Sequence, residues 1–197
     1  VIGAGVVGAM IARTLSEYEL DILLIDKEAD VGMGTSAANS AIVHAGYDAV
    51  AGTLKAEMSV KGNRLWSTAA QELNIPFERC GAYVVSIGPD EVPKLDPLLE
   101  NGRKNGVPAL AIISGEEMRL REPSINPEAS GALWAPTGGV INVFAATLAA
   151  AENAVMNGVT LKLNTEFEDF IMEDSRIVGI KTNQGEFGCR WVVNSAG

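Results

Sequence analysis

The chain has 197 residues, 47% of them hydrophobic and 20% charged, which is enough apolar material for a substantial core and allows more than one domain. Its net charge of -10 and sequence pI of about 4.6 exclude a nucleic-acid surface, which needs clustered Lys and Arg to displace counterions. No apolar run, the stretch at residues 143–151 included, approaches the ~20 residues that span a bilayer, and a sole histidine, His44, excludes a multi-histidine metal site.

The chain opens Val-Ile-Gly-Ala-Gly-Val-Val-Gly, setting Gly3, Gly5 and Gly8 in the spacing G-x-G-x-x-G. The first glycine permits a tight turn out of a strand, the second lacks the side chain that would hold a diphosphate off the backbone, and the third lets the next helix lie close on the strand. Backbone N–H groups at the helix start, around Val6 and Val7, then face the phosphates. Val6, Val7, Met10, Ile11 and Leu15 predict one apolar helical face, and residues 20–25 predict a buried parallel strand. That strand ends at Asp26, beside Lys27, where a carboxylate can accept hydrogen bonds from ribose hydroxyls. Residues 1–26 therefore read as a βαβ dinucleotide-binding unit. A glycine-rich turn with no ligand is the alternative, and the matching helix, strand and acid argue against it.

A nicotinamide-binding domain would continue with another helix and strand. Residues 32–48 are instead rich in hydroxyls and small side chains, which suits the approach of a second, bulkier part of a cofactor. A Ser/Thr-capped surface loop is the plainer reading, but Ala41, Ile42 and Val43 beside His44 are apolar and sit poorly in one.

Three stretches together resemble a flavoprotein superfamily: the G-x-G-x-x-G with an acid closing the second strand, G-T-S-x-x-N-S-x-x-x-H-x-G from Gly34 to Gly46, and V-V-N-x-A-G from Val192 to Gly197. This superfamily includes FAD-dependent glycerol-3-phosphate dehydrogenases, L-2-hydroxyglutarate oxidases and the D-amino-acid and sarcosine oxidases. The middle stretch most resembles the hydroxyglutarate branch. The resemblance implies an α/β fold: a Rossmann-like FAD-binding domain with an inserted α+β substrate domain. It implies FAD as cofactor, with Thr35, Ser36, Asn39 and Ser40 along the pyrophosphate and flavin, and His44 and Gly46 near the isoalloxazine. It spans the first half or so of a family member, so the chain is expected to belong to a longer protein. Many relatives carry Glu at the Asp26 position, and glycerol-3-phosphate dehydrogenases carry Arg where Asp48 stands. A carboxylate at that place repels a phosphate, which ranks a hydroxy acid ahead of glycerol 3-phosphate.

Residues 53–73 predict a long amphipathic helix burying Leu54, Met58, Leu65, Ala69 and Leu73, with Met58 and Trp66 in the core. All eight prolines lie from Pro76 to Pro136, among a strand-like run at 82–87 and a helical one at 92–104. Residues 77–142 therefore read as an inserted sheet-containing segment, the substrate (cap) domain by resemblance, between a first part of the FAD-binding domain at 1–76 and a second at 143–197. Asn142 caps a predicted helix over 143–156 in which Phe144, Leu148, Ala151 and Val155 share a face, and Asn157-Gly158 ends it. A strand at 159–163 returns to the nucleotide-binding sheet, and strands at 166–173, 176–182 and 186–193 form an antiparallel meander. By resemblance, the backbone at Phe167 touches the adenine, and Ser195, Ala196 and Gly197 bring bare backbone back to the dinucleotide.

The expected function is FAD-dependent oxidation of a small hydroxy acid, 2-hydroxyglutarate-like, or of glycerol 3-phosphate, by hydride transfer to flavin N5. Electrons then pass to oxygen, a quinone or another carrier. An FAD-dependent amine or amino-acid oxidase is the alternative enzyme, and a non-catalytic nucleotide-binding module the alternative outside catalysis. His44 has three readings: proton acceptor, since imidazole titrates near neutrality; covalent tether to the flavin; or local hydrogen-bonding group. The last is preferred, because the family's substrate base and anion-binding residues often come from the other half of the chain. Cys80 and Cys189 form no C-x-x-C pair and suit a reducing, cytoplasmic compartment, with peripheral membrane association left open.

Overall fold

The computed structural model describes all 197 residues. Its helices are α1 (Val6–Leu15), α2 (Leu54–Glu72), α3 (Leu95–Lys104), α4 (Gly115–Arg121) and α5 (Val143–Met156). Its strands are β1 (Leu23–Ile25), β2 (Ile42–Val43), β3 (Phe77–Glu78), β4 (Ala82–Ile87), β5 (Ala111–Ser114), β6 (Ala129–Ala135), β7 (Gly139–Ile141), β8 (Thr160–Lys162), β9 (Phe167–Glu173), β10 (Arg176–Thr182) and β11 (Gly185–Gly188). Contacts divide the chain into one unit of Val1–Ser40, Leu73–Ile75 and Asn142–Gly197, and another of Ala41–Glu72 and Pro76–Ile141. The sequence-based division at 76/77 differs. Residues 41–72 group with the inserted segment because β2 pairs antiparallel with β7 and Val60 of α2 joins the apolar cluster around Leu95, Leu110 and Leu133.

The first unit is built on parallel pairing. Ile2 bridges in parallel to Ile25 on one side and Asn194 on the other, and β1 pairs in parallel with β8. Leu24 and Ile25 are 0% and 1% exposed, as expected of a strand covered on both faces. The strand is shorter than the run 20–25, since Leu20 is exposed and donates its N–H to Tyr18 in a turn. Helix α1 packs on α5, but of the residues that periodicity selected only Met10 and Ala151 join the contact. The buried positions are Gly8, Ala9 and Ala12 on α1, and Ala146, Thr147, Ala150, Ala151 and Ala154 on α5. Small side chains let two helices approach closely, so Val7, Phe144, Leu148 and Val155 are left exposed. The Asn142 side chain accepts the Ala145 N–H at 3.0 Å, and Gly158, at φ +97°, closes α5. Strands β9, β10 and β11 form the antiparallel meander, turned at Asp174 and Ser175, both at positive φ as a two-residue hairpin demands. Its last strand stops at Gly188. The chain beyond leaves the meander and runs beside Ile2, which donates its N–H to the Val193 carbonyl at 2.9 Å.

In the second unit β4, β6 and β5 form an antiparallel sheet in the order β4-β6-β5, and β2, β7 and β3 form another. The helical run at 92–104 divides into a 3-10 turn, Pro89–Lys94, followed by α3, because Pro93 cannot supply an N–H inside a helix. Helix α2 lies where periodicity predicts, but it buries Ala56, Val60, Asn63, Ala69 and Ala70. Leu54, Met58 and Leu65 are exposed and Trp66 only half-buried, contrary to the expected face. Strand β5 and helix α4 have no counterpart among the predicted elements. The Ser114 hydroxyl accepts the Glu117 N–H at 3.1 Å and starts α4.

Candidate dinucleotide-binding site

The three glycines of the opening loop are held by different things. Gly3 sits at φ +96°, and a Cβ there would lie 2.5 Å from the Ser195 carbonyl oxygen. A Cβ on Gly8 would collide with the Gly3 carbonyl oxygen. Gly5 has ordinary extended backbone, φ -68° and ψ 176°, and its Cβ would meet only the Ser36 hydroxyl, at 3.1 Å. The fold itself requires Gly3 and Gly8, whereas at Gly5 only the Ser36 hydroxyl would have to give way. No acid lies in the first turn of α1, so no carboxylate there offsets the positive end of the helix. The Val6 N–H donates to the Ser36 Oγ at 2.9 Å.

Asp26 closes β1 and turns back to the loop. Its Oδ2 accepts the Ala4 N–H at 2.6 Å and its Oδ1 accepts the Glu28 N–H at 3.0 Å. Each oxygen keeps a further lone pair. Asp26 also lines a cleft of about 220 Å³ with Gly3, Lys27, Phe167, Phe170, Asn194 and Ala196. The rings of Phe167 and Phe170 stand 4.8 Å apart at 55°. One edge of the cleft is pinned by Ser195, whose hydroxyl donates to the Ile2 carbonyl at 2.9 Å.

The sequence-predicted residues divide accordingly. Gly3, Gly5, Val6, Gly8, Ser36, Asp26, Lys27, Phe167, Ser195 and Ala196 meet around the loop and cleft. Val7 follows Val6 with an exposed side chain. Thr35, Asn39 and Ser40 are exposed. The Asn39 amide donates to the Ser36 carbonyl at 2.9 Å, next to the hydroxyl that meets the Val6 N–H. Gly197 is exposed at φ +98° and does not line the cleft. His44 belongs to the other unit, just past β2, with its side chain exposed. Sequence reasoning missed Phe170 and Asn194. Alternation along β9 would send Phe167 and Phe170 to opposite faces. An irregularity opposite Lys181/Thr182, where Asp169 pairs with Lys181 and Phe167 with Thr182, brings them together.

A family model described as FAD dependent oxidoreductase matches residues 1–197. The chain belongs to the FAD dependent oxidoreductase family. Within it, a glycerol 3-phosphate dehydrogenase of Caloramator mitchellensis is 47% identical over 199 residues, covering 100% of this chain and 41% of that protein. A mitochondrial L-2-hydroxyglutarate dehydrogenase of Arabidopsis thaliana is 36% identical over 154 residues, 78% of this chain and 32% of that protein. Among solved structures, the dithionite-reduced L-alpha-glycerophosphate oxidase of Mycoplasma pneumoniae with FAD bound superposes with a TM-score of 0.86 at 28% identity, covering 92% of this chain and 48% of that one. The chain thus spans about half, or less, of the length of the relatives it matches. No helix of this family member is long and apolar enough to cross a membrane.

Proposed function

We propose that the first unit holds FAD and that the whole protein uses it to oxidise a small anionic alcohol. One observation carries the cofactor assignment: Gly5 is the loop glycine whose added Cβ would meet no backbone, only the Ser36 hydroxyl, and it stands at a helix start with no acid in its first turn. That arrangement suits a diphosphate, whose negative charge the helix end favours. Gly3, Gly5, Val6, Val7 and Gly8 supply the backbone there, with the Ser36, Thr35, Asn39 and Ser40 side chains beyond it. Asp26 uses its spare lone pairs for the ribose, and the cleft beside Lys27, Phe167 and Ala196 takes the adenine, with Ser195 pinning one edge of it.

Bound there, FAD would supply the hydride acceptor for the substrate carbon. His44 is the residue of this chain assigned to the reaction, as acceptor of the hydroxyl proton or as the group that orients the reactants. Glycerol 3-phosphate stands first as substrate, because the match to the glycerol 3-phosphate dehydrogenase is 47% against 36% for the L-2-hydroxyglutarate dehydrogenase. A 2-hydroxy acid is the second reading. The exposed carboxylate of Asp48, four residues after His44, favours it by repelling a phosphate. Electrons then pass to oxygen, a quinone or another carrier. The free thiols of Cys80 and Cys189 accord with a reducing compartment such as the cytoplasm.

Anaerobic titration of the full-length protein tests this, followed by flavin absorbance. Glycerol 3-phosphate should bleach the flavin, L-2-hydroxyglutarate should do so under the second reading, and bleaching by neither but by an amino acid would overturn both.

A further inference from the structure

The segment from His44 to Ala51 has no regular secondary structure, yet three asparagine side chains, two on helices and one just past a helix end, grip its backbone. From α2, the Asn63 amide donates to the His44 carbonyl at 2.9 Å and to the Thr137 carbonyl at 2.8 Å. From α3, the Asn101 amide donates to the Tyr47 and Ala49 carbonyls at 2.7 and 2.8 Å, and its Oδ1 accepts the Ala51 N–H at 3.1 Å. The Asn105 amide, just past α3, donates to the Gly46 and Ala49 carbonyls at 2.9 and 2.7 Å.

Asn63 is only 5% exposed, so it spends a buried position of α2 on polar work that an Ala or Leu could not do. Its remaining acceptor is taken by Arg79, whose Nη1 donates to the Asn63 Oδ1 at 3.0 Å and to the Thr137 carbonyl at 2.5 Å. Arg79 is itself fixed by donating to the Asn63 carbonyl at 2.6 Å and to the Ser67 hydroxyl at 2.8 Å. The Asn63 amide therefore has no freedom to turn. Val43, Ala45 and Ala49 are buried while His44 and Asp48 are exposed. The result is a rigid backbone that displays two ionisable side chains.

We propose that Asn63, locked by Arg79, is a positioning residue that holds the His44 backbone so that the imidazole stays where the reaction needs it. The inference rests on the reading of His44 given above. A buried amide with every donor and acceptor used defines a single geometry, and misplacing a reacting group by about 1 Å costs up to ~100-fold in rate.

The test uses the full-length protein. Asn63→Asp keeps the shape and the acceptor for Arg79 but loses the N–H given to His44. In the apoprotein, residues 44–51 should take up deuterium faster than in the parent. In the holoprotein, flavin reduction at saturating substrate should slow roughly 10–100-fold, with the half-saturating concentration little changed. If Asn63→Asp does not fold, Arg79→Lys, which frees the Asn63 amide to turn, should give the same pair of effects in milder form. Unchanged exchange at 44–51, or reduction at the parent's rate in protein that has kept its flavin, overturns the proposal. His44→Ala run alongside separates the two ideas. Normal reduction in His44→Ala removes His44 from the reaction and takes this inference with it, whereas slow reduction there with normal reduction in Asn63→Asp removes the positioning role alone.

Discussion

The Asp26 carboxylate accepts the Ala4 backbone N–H at 2.6 Å, tying the acid that ends β1 to the middle of the glycine loop. The same side chain also lines the cleft, so it has a structural task and a proposed ribose task together.

Asp26→Ala should therefore do two things. It should weaken FAD binding by about 1.5–3 kcal/mol, the usual worth of hydrogen bonds to a charged group, and lower the apoprotein melting temperature by leaving the Ala4 and Glu28 N–H groups without this partner. Calorimetric FAD titration and a melting curve without FAD read the two separately. An unchanged apoprotein melt would show that the Ala4 contact contributes nothing, and unchanged affinity would remove the ribose assignment.

The two outer glycines and the middle one should part company under substitution. Gly8→Ala drives a methyl into the Gly3 carbonyl and should cost about 1–3 kcal/mol of stability with or without cofactor. Gly5→Ala presses only on the Ser36 hydroxyl, which must shift by a few tenths of an ångström, and should cost the apoprotein much less than Gly8→Ala, yet purify with little flavin. A Gly5→Ala protein with full flavin occupancy would mean that the diphosphate does not pass this point.

Much of this was legible from residue order alone. The glycine spacing, the acid at 26, the returning strand β8 and the meander follow from local rules that the fold obeys. The helix faces did not. Periodicity marks large apolar residues, but α1 and α5 meet through alanines and glycine, and α2 gives a buried place to Asn63. Neither close approach of two helices nor a demand for a buried amide leaves a trace in hydropathy. The pairing of Phe167 with Phe170 depends on an irregularity set by the neighbouring strand, which is likewise invisible to a period of two. His44 was found as a singular residue, but the asparagines that hold its segment lie 19 to 61 positions further along the chain and share no motif with it.

His44→Ala in the full-length protein should slow flavin reduction, whether the imidazole takes a proton or orients the reactants. Stopped-flow absorbance at the flavin band gives the rate. Yellow colour retained in the parent's acid-precipitated pellet and lost in the mutant's would assign the ring as a covalent tether instead.

Tyr47 supplies a pH test on the segment next to that histidine. Burial, and then the neighbouring Asp48 carboxylate, push its hydroxyl above the ordinary phenol range. A group whose pKa rises on folding adds stability that is whole below the unfolded value, about 10 for tyrosine, and is lost as pH climbs through the folded one. The parent should therefore lose melting temperature above about pH 10 more steeply than Tyr47→Phe. Parallel slopes in the two proteins would show the hydroxyl to be as easily ionised folded as unfolded.

The pairing of Ile2 with Val193 and Ser195 bears on how the protein is made. One of the first residues of the chain cannot complete its hydrogen bonds until a segment some 190 residues later has left the ribosome, roughly 10–40 s afterwards at ordinary rates of synthesis. The contacts within residues 41–141 need no such wait. During translation the nascent glycine loop must stand half-paired, with β1 as its first available neighbour, so an arrest between residues 141 and 193 should release chains whose second unit is protected from protease while Gly3 to Gly8 are not.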